Sequence, residues 1–285
     1  MDNGKARVDP DAFLSRVEFG AHQETIDHIN RKIFRAYRAG HSANNVPGDI
    51  FRLRHQIYCL ECAFLQADQY VDGMELDDYD DASTHFAAYT MDEKLVGAVR
   101  LVQPKEPQPY PFELHCEVFS DFDMPDREQA AEISRLVVKK THRRRRADSV
   151  LGVPGFVSQS EAAAEFDPAV DRRDRTSPML LLGMYREMFR HSEDHGIRYW
   201  FAAMERSLAH ALKKMGFRFM AIGPEANYYG AVTPYVLDLH DLRRKLMMSN
   251  PTLAAWFSEK PPVVEHAHPT RVHVVRKAEL SSDIN

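Results

Sequence analysis

The sequence is poor in the features that would give its function away. Cysteine occurs three times, at Cys59, Cys62 and Cys116, too few for a disulfide framework, and this fits a reducing cytoplasm. No apolar run approaches the roughly 18 residues of a membrane span. The opening MDNGKARVDPDAFLSR lacks the basic-then-apolar layout of a secretory leader. Net charge is only −5 over 285 residues, so the field of the whole molecule argues against nucleic acid as a partner. No Gly-x-Gly occurs anywhere in the chain, so no glycine-rich phosphate loop of that kind is signalled, and a basic run stands in KKTHRRRRAD. With 44% hydrophobic and 28% charged residues, the composition is that of an ordinary globular protein.

The periodicity that is present divides the chain into three parts. Residues 1–45 carry a modest helical period in FLSRVEFGAHQETIDHINRKIFRAYRAG and read as a helical extension. Residues 46–245 form the main domain. DIFRLRHQIYCLECAF sets Ile50, Leu53, Ile57, Leu60 and Phe64 on one helical face. THFAAYT and KLVGAVRLVQP make two strands joined by a polar turn at Asp92–Lys94, and EISRLVVKK gives a third strand. Residues 143–176 read as a long loop. Thr176 or Ser177 caps a helix that carries Pro178 in its first turn and ends at Gly196. IRYWFAAM, FRFMAIG and TPYVLDL are strands, with a helix over SLAHALKKMG between the first two. Residues 246–285 are a helix and an irregular tail. The expected class is α/β (α+β), a central mixed sheet flanked by helices.

One stretch concentrates charge. YVDGMELDDYDDASTH, Tyr70–His85, holds six carboxylates and no apolar run. Two arginines then sit in apolar strands, Arg100 in GAVRLV and Arg135 in EISRLVV. A buried arginine requires a carboxylate partner, and the acids of this stretch supply one. Taken singly, each such pair is as compatible with a structural ion pair as with a functional site. If the third strand is regular, Glu132 and Ser134 face one way, and Ile133 and Arg135 the other.

Together these segments resemble the N-acyl-homoserine-lactone synthases, whose fold is that of GNAT acyltransferases. The shared pattern is Arg54 and Tyr58; Glu75, Asp77 and Asp80; Gly97, Arg100 and Leu101; then Glu132, Ser134 and Arg135. Phe64 stands where those synthases carry tryptophan, and this chain is longer. Its second half, through GPEANYYGAVTPYVLDL, is similar to the PEP-CTERM/exosortase-associated acyltransferases, relatives of the N-acyl amino acid synthases. The resemblance implies transfer of a fatty acyl chain from a carrier thioester to the amino group of an amino acid. Glu132 would be the base and Arg135 a catalytic partner. Arg54, Tyr58, Phe64, Glu75, Asp77, Asp80, Arg100, Ser134 and Val137 would form the substrate site, with the backbone of the Arg135–Val138 strand stabilising the oxyanion. Acyl carrier protein is the favoured donor, with acyl-CoA as the alternative, and Arg143, Arg144, Arg145 and Arg146 would dock the acidic carrier. The implied enzyme holds no tight cofactor and no metal. A lactone synthase using S-adenosylmethionine and a non-catalytic acyl-binding homologue remain as alternatives. Cys-x-x-Cys at Cys59 and Cys62 beside His55 is a weak metal signal. His85 reads as structural or as supporting the acids. Met179, Leu180, Leu181, Met184 and Met188 read as core or as the wall of an acyl tunnel.

Overall fold

The computed structural model describes residues 37–42, 46–70, 72–90, 93–142 and 176–258. The expected helical extension up to residue 36, the Arg143–Arg146 run, most of the expected 143–176 loop and the tail after 258 lie outside these residues.

The strands are β1 (Tyr37–Ser42), β2 (Ser83–Thr90), β3 (Leu95–Val102), β4 (Ala130–Val138), β5 (Tyr199–Met204), β6 (Met220–Ala221), β7 (Ala226–Asn227) and β8 (Ala231–Asp238). Their order across the sheet is β1-β2-β3-β4-β5-β8-β6, with β7 also paired to β8. β1 to β4 run antiparallel to their neighbours, β4 and β5 are parallel, and β5 and β8 are antiparallel again. The mixed sheet flanked by helices is the GNAT arrangement the sequence led us to expect.

Several elements differ from the sequence reading. Tyr37–Ser42 is an edge strand on β2, although the helical period ran through Gly40. The expected strand over FRFMAIG is reduced to the two residues of β6. The helix beginning at Gly48 runs regularly only to His55 (α1) and continues as a π-turn over Gln56–Glu61.

Helix α2 (Thr176–Asp194) covers one face of β1–β3. Its approach is close, because a Cβ on Gly97 would lie 2.9 Å from Leu180 Cδ2. The large core sits here, around Phe86, Val99, Leu182, Met188, Trp200 and Trp256. Helices α3 (Arg206–Lys214), α4 (Leu239–Ser249) and α5 (Pro251–Ser258) complete the layer, with Asn250 and Pro251 dividing the last two. Helix α1 packs on the opposite face against β3 and β4, over a smaller core of Ile50, Leu53, Ile57, Ala98 and Val137. A third cluster, including Phe112, Ala130, Phe201 and Ile222, lies under the Pro111–Cys116 segment.

Two bulges decide what faces where. Ala88 pairs with Gly97 but Tyr89 with Leu95, so Val96 is an extra residue in β3. That turns Val96 into the large core, away from the face it would share with Ala98 and Arg100 in a regular strand. In β4, Ser134 pairs with Arg100 and Val137 with Ala98, leaving Arg135 and Leu136 opposite Val99 alone. Arg135 sits at φ 53°, in the left-handed region that non-glycine residues rarely occupy.

Candidate active site

The β4 bulge is where the sheet opens. β4 and β5 pair over Ala130–Glu132 and Tyr199–Phe201; beyond Glu132, the edge of β4 facing β5 has no strand partner among the described residues. A cavity of about 270 Å³ occupies this gap. Glu132, Ser134, Arg135 and Leu136 line it from β4, Ala202, Ala203 and Met204 from β5, Leu208 from α3 and Tyr185 from α2. Tyr58 and Phe64 reach it from the chain after α1, and Tyr228 and Tyr229 from the turn between β7 and β8. Tyr58 packs against the core under α1 and Tyr185 lies in the core under α2, so the cavity runs through the sheet from one face to the other.

Glu132 is buried at its wall and accepts a hydrogen bond from the Phe112 N–H at 2.9 Å. Burial pushes its carboxyl pKa up to about 8, against the opposing pull of that N–H and of Arg100 and Arg135. A carboxyl group with this pKa exchanges a proton readily near neutral pH.

Beside it lies the charged cluster. Arg54 donates through Nε to Glu75 and through Nη1 to Asp80 Oδ1 at 2.5 Å. Arg100 donates to both Asp77 oxygens, at 2.5 and 3.0 Å, to Asp80 Oδ1 at 2.8 Å and to Ser134 Oγ at 3.0 Å. Arg135 donates through Nε to Glu75 at 3.1 Å and through Nη2 to Asp77 at 2.9 Å. Three guanidinium groups thus face three carboxylates, and Arg54, Arg100 and Glu75 are at most 1% exposed. Every charge is compensated, which is the condition for burying them. Burial alone would raise the Asp80 pKa, but Arg54 and Arg100 outweigh it and hold it at about 2. His85, 3.4 Å from Asp80, is kept neutral by burial and by the same arginines, with its pKa down at about 4.

The structure therefore gathers Arg54, Glu75, Asp77, Asp80, Arg100, Ser134 and Arg135 around one ionic network, and only Ser134 and Arg135 of these also line the cavity. Asp72, Asp78 and Asp81 are exposed. Val137 does not line the cavity; it pairs with Ala98, and its side chain packs in the core under α1. The expected alternation holds for Glu132, Ile133 and Ser134, with Ile133 in the large core, but the bulge takes Arg135 off the face of Ile133 and brings it to Asp77 beside Arg100. The π-turn after α1 carries Tyr58, whose hydroxyl donates to Leu136 O at 3.3 Å. Among the described residues no group of three or more His, Cys, Asp and Glu is placed to hold a metal ion.

Residue-level reading of the sequence missed the segment that closes the cavity. His115 stacks on Tyr228 with ring centroids 4.0 Å apart, and Phe64 stacks on Tyr229 at 5.9 Å. Tyr228 N–H donates to Gly230 O at 2.9 Å, with Tyr229 at φ 54° and Gly230 at φ 117°, a tight hairpin tip. The hairpin is pinned to the Cys116–Phe119 segment: Phe119 N–H donates to Ile222 O at 2.8 Å, and a Cβ on Gly223 would stand 1.9 Å from Glu117 O. The signal was the pair of aromatics before Gly230, seen only as part of a family ending.

Comparison with known proteins agrees with this geometry. Residues 53–153 match the family described as an acetyltransferase (GNAT) domain. Among solved structures, a CoA-dependent acyl-homoserine lactone synthase, BjaI, with MTA, aligns with TM-score 0.50 and 20% identity, covering 83% of this chain and 95% of that one. TofI in a ternary complex with an inhibitor and MTA aligns with TM-score 0.49 and 15% identity, over 76% of this chain and 99% of that one. FeeM, an N-acyl amino acid synthase from uncultured soil microbes, aligns with TM-score 0.39 and 12% identity, over 75% and 97%. No curated protein sequence matches the chain. The likeness to BjaI is one of fold. With its residues 53–153 matching the acetyltransferase domain on the sheet described above, this chain has the GNAT fold.

Proposed function

We propose that the chain transfers a fatty acyl group from a carrier thioester to the α-amino group of an amino acid, releasing the thiol. The observation that carries this reading is Glu132, a buried carboxyl with pKa about 8 on the wall of a cavity that crosses the sheet where β4 and β5 part.

The chemistry follows from these groups. A thioester is already activated, so the enzyme has to hold it against the amine, take up a proton and stabilise the tetrahedral oxyanion. The acceptor enters as an ammonium and pairs with ionised Glu132, which takes its proton. The amine lone pair forms the C–N bond as the carbonyl π pair moves onto oxygen. Backbone N–H groups of β4 beyond Glu132, on the edge from which β5 has parted, are the donors for that oxyanion. Collapse breaks the C–S bond; Glu132 gives its proton to the departing thiolate, and the regenerated carboxylate takes the second proton from the nitrogen and releases it to solvent, leaving the neutral amide. Arg135 is the guanidinium in the lining that an acceptor carboxylate would meet. The ionic network behind it fixes Arg135 and Ser134, so Arg54, Glu75, Asp77, Asp80 and Arg100 position the site rather than touch substrate.

Acyl carrier protein is the donor we favour over acyl-CoA, because the chain lacks a Gly-x-Gly turn after β4 and has the basic run Arg143–Arg146 in its place. The Tyr228-Tyr229-Gly230 and Pro234-Tyr235 ending, by its resemblance, is what supports assigning it to the PEP-CTERM/exosortase-associated branch in this reading. Incubating the protein with acyl-carrier and acyl-CoA donors, a mixture of amino acids and S-adenosylmethionine, followed by mass spectrometry, tests it. N-acyl amino acids are the expected product. Acyl-homoserine lactone would establish the fold relative's reaction instead, and bound acyl ligand without turnover would establish a binding protein.

A further inference from the structure

On the reading of a fatty acyl donor, the cavity has two chemically different ends. Glu132, Ser134 and Arg135 make one end polar, next to the ionic network. Leu136, Ala202, Met204 and Leu208 make the other apolar, and all of them belong to the large core or pack against it. An acyl chain whose carbonyl lies at Glu132 must direct its methylenes toward that second end, since burying apolar surface drives its binding.

Among the described residues, the apolar end abuts helix α2 at a single side chain. Tyr185 is the residue of α2 that lines the cavity, and it is 1% exposed. Its ring is fixed from behind by edge-to-face contacts with Trp200, centroids 5.9 Å apart, and Phe217, 5.1 Å apart. Such packing holds the ring in place against a longer chain. The phenol hydroxyl lies in surroundings where burial is the one influence on its proton affinity, and that influence raises it.

We propose that Tyr185 is the end wall of the acyl subsite and sets the length of the chain that the enzyme accepts. The ring does this and the hydroxyl does not. Donors shorter than the limit lose contacts one methylene at a time, whereas donors beyond it collide with a fixed ring.

The test uses the full chain and a series of straight-chain acyl-pantetheine thioesters of increasing length, measuring both kcat/KM and calorimetric affinity. The wild type is expected to show a sharp upper limit in both. Tyr185→Phe keeps the ring and should keep the limit. Tyr185→Leu should move the limit to longer chains, with the preference for a donor two carbons longer rising roughly fifteenfold, at about fourfold per methylene. Tyr185→Ala should move it further; if it fails to fold by circular dichroism, Tyr185→Leu carries the comparison. An unchanged limit in folded Tyr185→Leu would overturn the proposal, as would a limit that moves equally in Tyr185→Phe. Affinity separates this outcome from failure of the transferase reading: a protein that turns over no thioester but still shows the shift in binding retains the wall and loses only the reaction.

Discussion

Asp80 shows how much one side chain can hold. It takes donors from Arg54 and Arg100, accepts the Asp77 backbone N–H at 2.8 Å and lies beside His85. Replacing one partner of a buried ionic network leaves the remaining charges uncompensated, so Asp80→Asn should lower unfolding free energy by about 3–5 kcal/mol in denaturant titration at neutral pH. Glu132 behaves in the opposite way. Its folded pKa of about 8 lies above that of an unfolded glutamate, so its contribution to stability is fully present below pH ~4.3 and is lost as pH rises through 8. Over that window Glu132→Gln should lose less stability than the wild type, by up to roughly 5 kcal/mol. Equal slopes of unfolding free energy against pH in the two proteins would show that the carboxyl is ionised in the folded state throughout.

At the scale of elements, the site is made by irregularities. The β4 bulge aims Arg135 at Glu75 and Asp77, the π-turn after α1 brings Tyr58 to Leu136, and the β7–β8 hairpin closes the cavity with Tyr228. The hairpin depends on Gly223, where backbone lies so close that any Cβ meets Glu117 O at 1.9 Å. Gly223→Ala should therefore push the hairpin off the Cys116–Phe119 segment, break the His115–Tyr228 stack and reduce kcat by at least tenfold, alongside a lower thermal midpoint. A variant with wild-type turnover would show that the hairpin is not needed for catalysis. The same irregularities mark the limit of what the sequence discloses. Regular periods located β2, β3, β4, β5, β8 and α2; the demand of buried Arg100 and Arg135 for partners led to the acidic stretch, and the family resemblance singled out 75, 77 and 80 within it. A period carries no sign of a bulge, so the turn of Val96 into the large core and the facing of Arg135 were not legible. β1 was hidden for a related reason: Tyr37–Ser42 is an edge strand whose pairing is set by β2, and its own residues carry no strand period. Tyr185 and His115 act through contacts far apart in the chain.

For the whole molecule, the two kinds of buried carboxyl act at opposite ends of the pH scale. Burial would raise Asp77 and Asp80, but Arg100 for the first, and Arg54 and Arg100 for the second, hold them low, with Asp80 at about 2. The stability they supply is present above the unfolded aspartate pKa and is lost as pH falls through the folded value, so acid unfolding should fall between about pH 4 and pH 2. Thermal scans in that range test this, and a midpoint that declines already near pH 6 would point to other groups. The central claim is that Glu132 accepts the proton of the attacking amine. It is tested most directly by the pH dependence of kcat/KM for thiol release from an acyl thioester in the wild type and in Glu132→Gln. The account predicts a wild-type rate that rises with pH through an apparent pKa near 8, and a variant slower by about 10²–10⁴ without that rise. A Glu132→Gln variant with the wild-type rate and profile would contradict it.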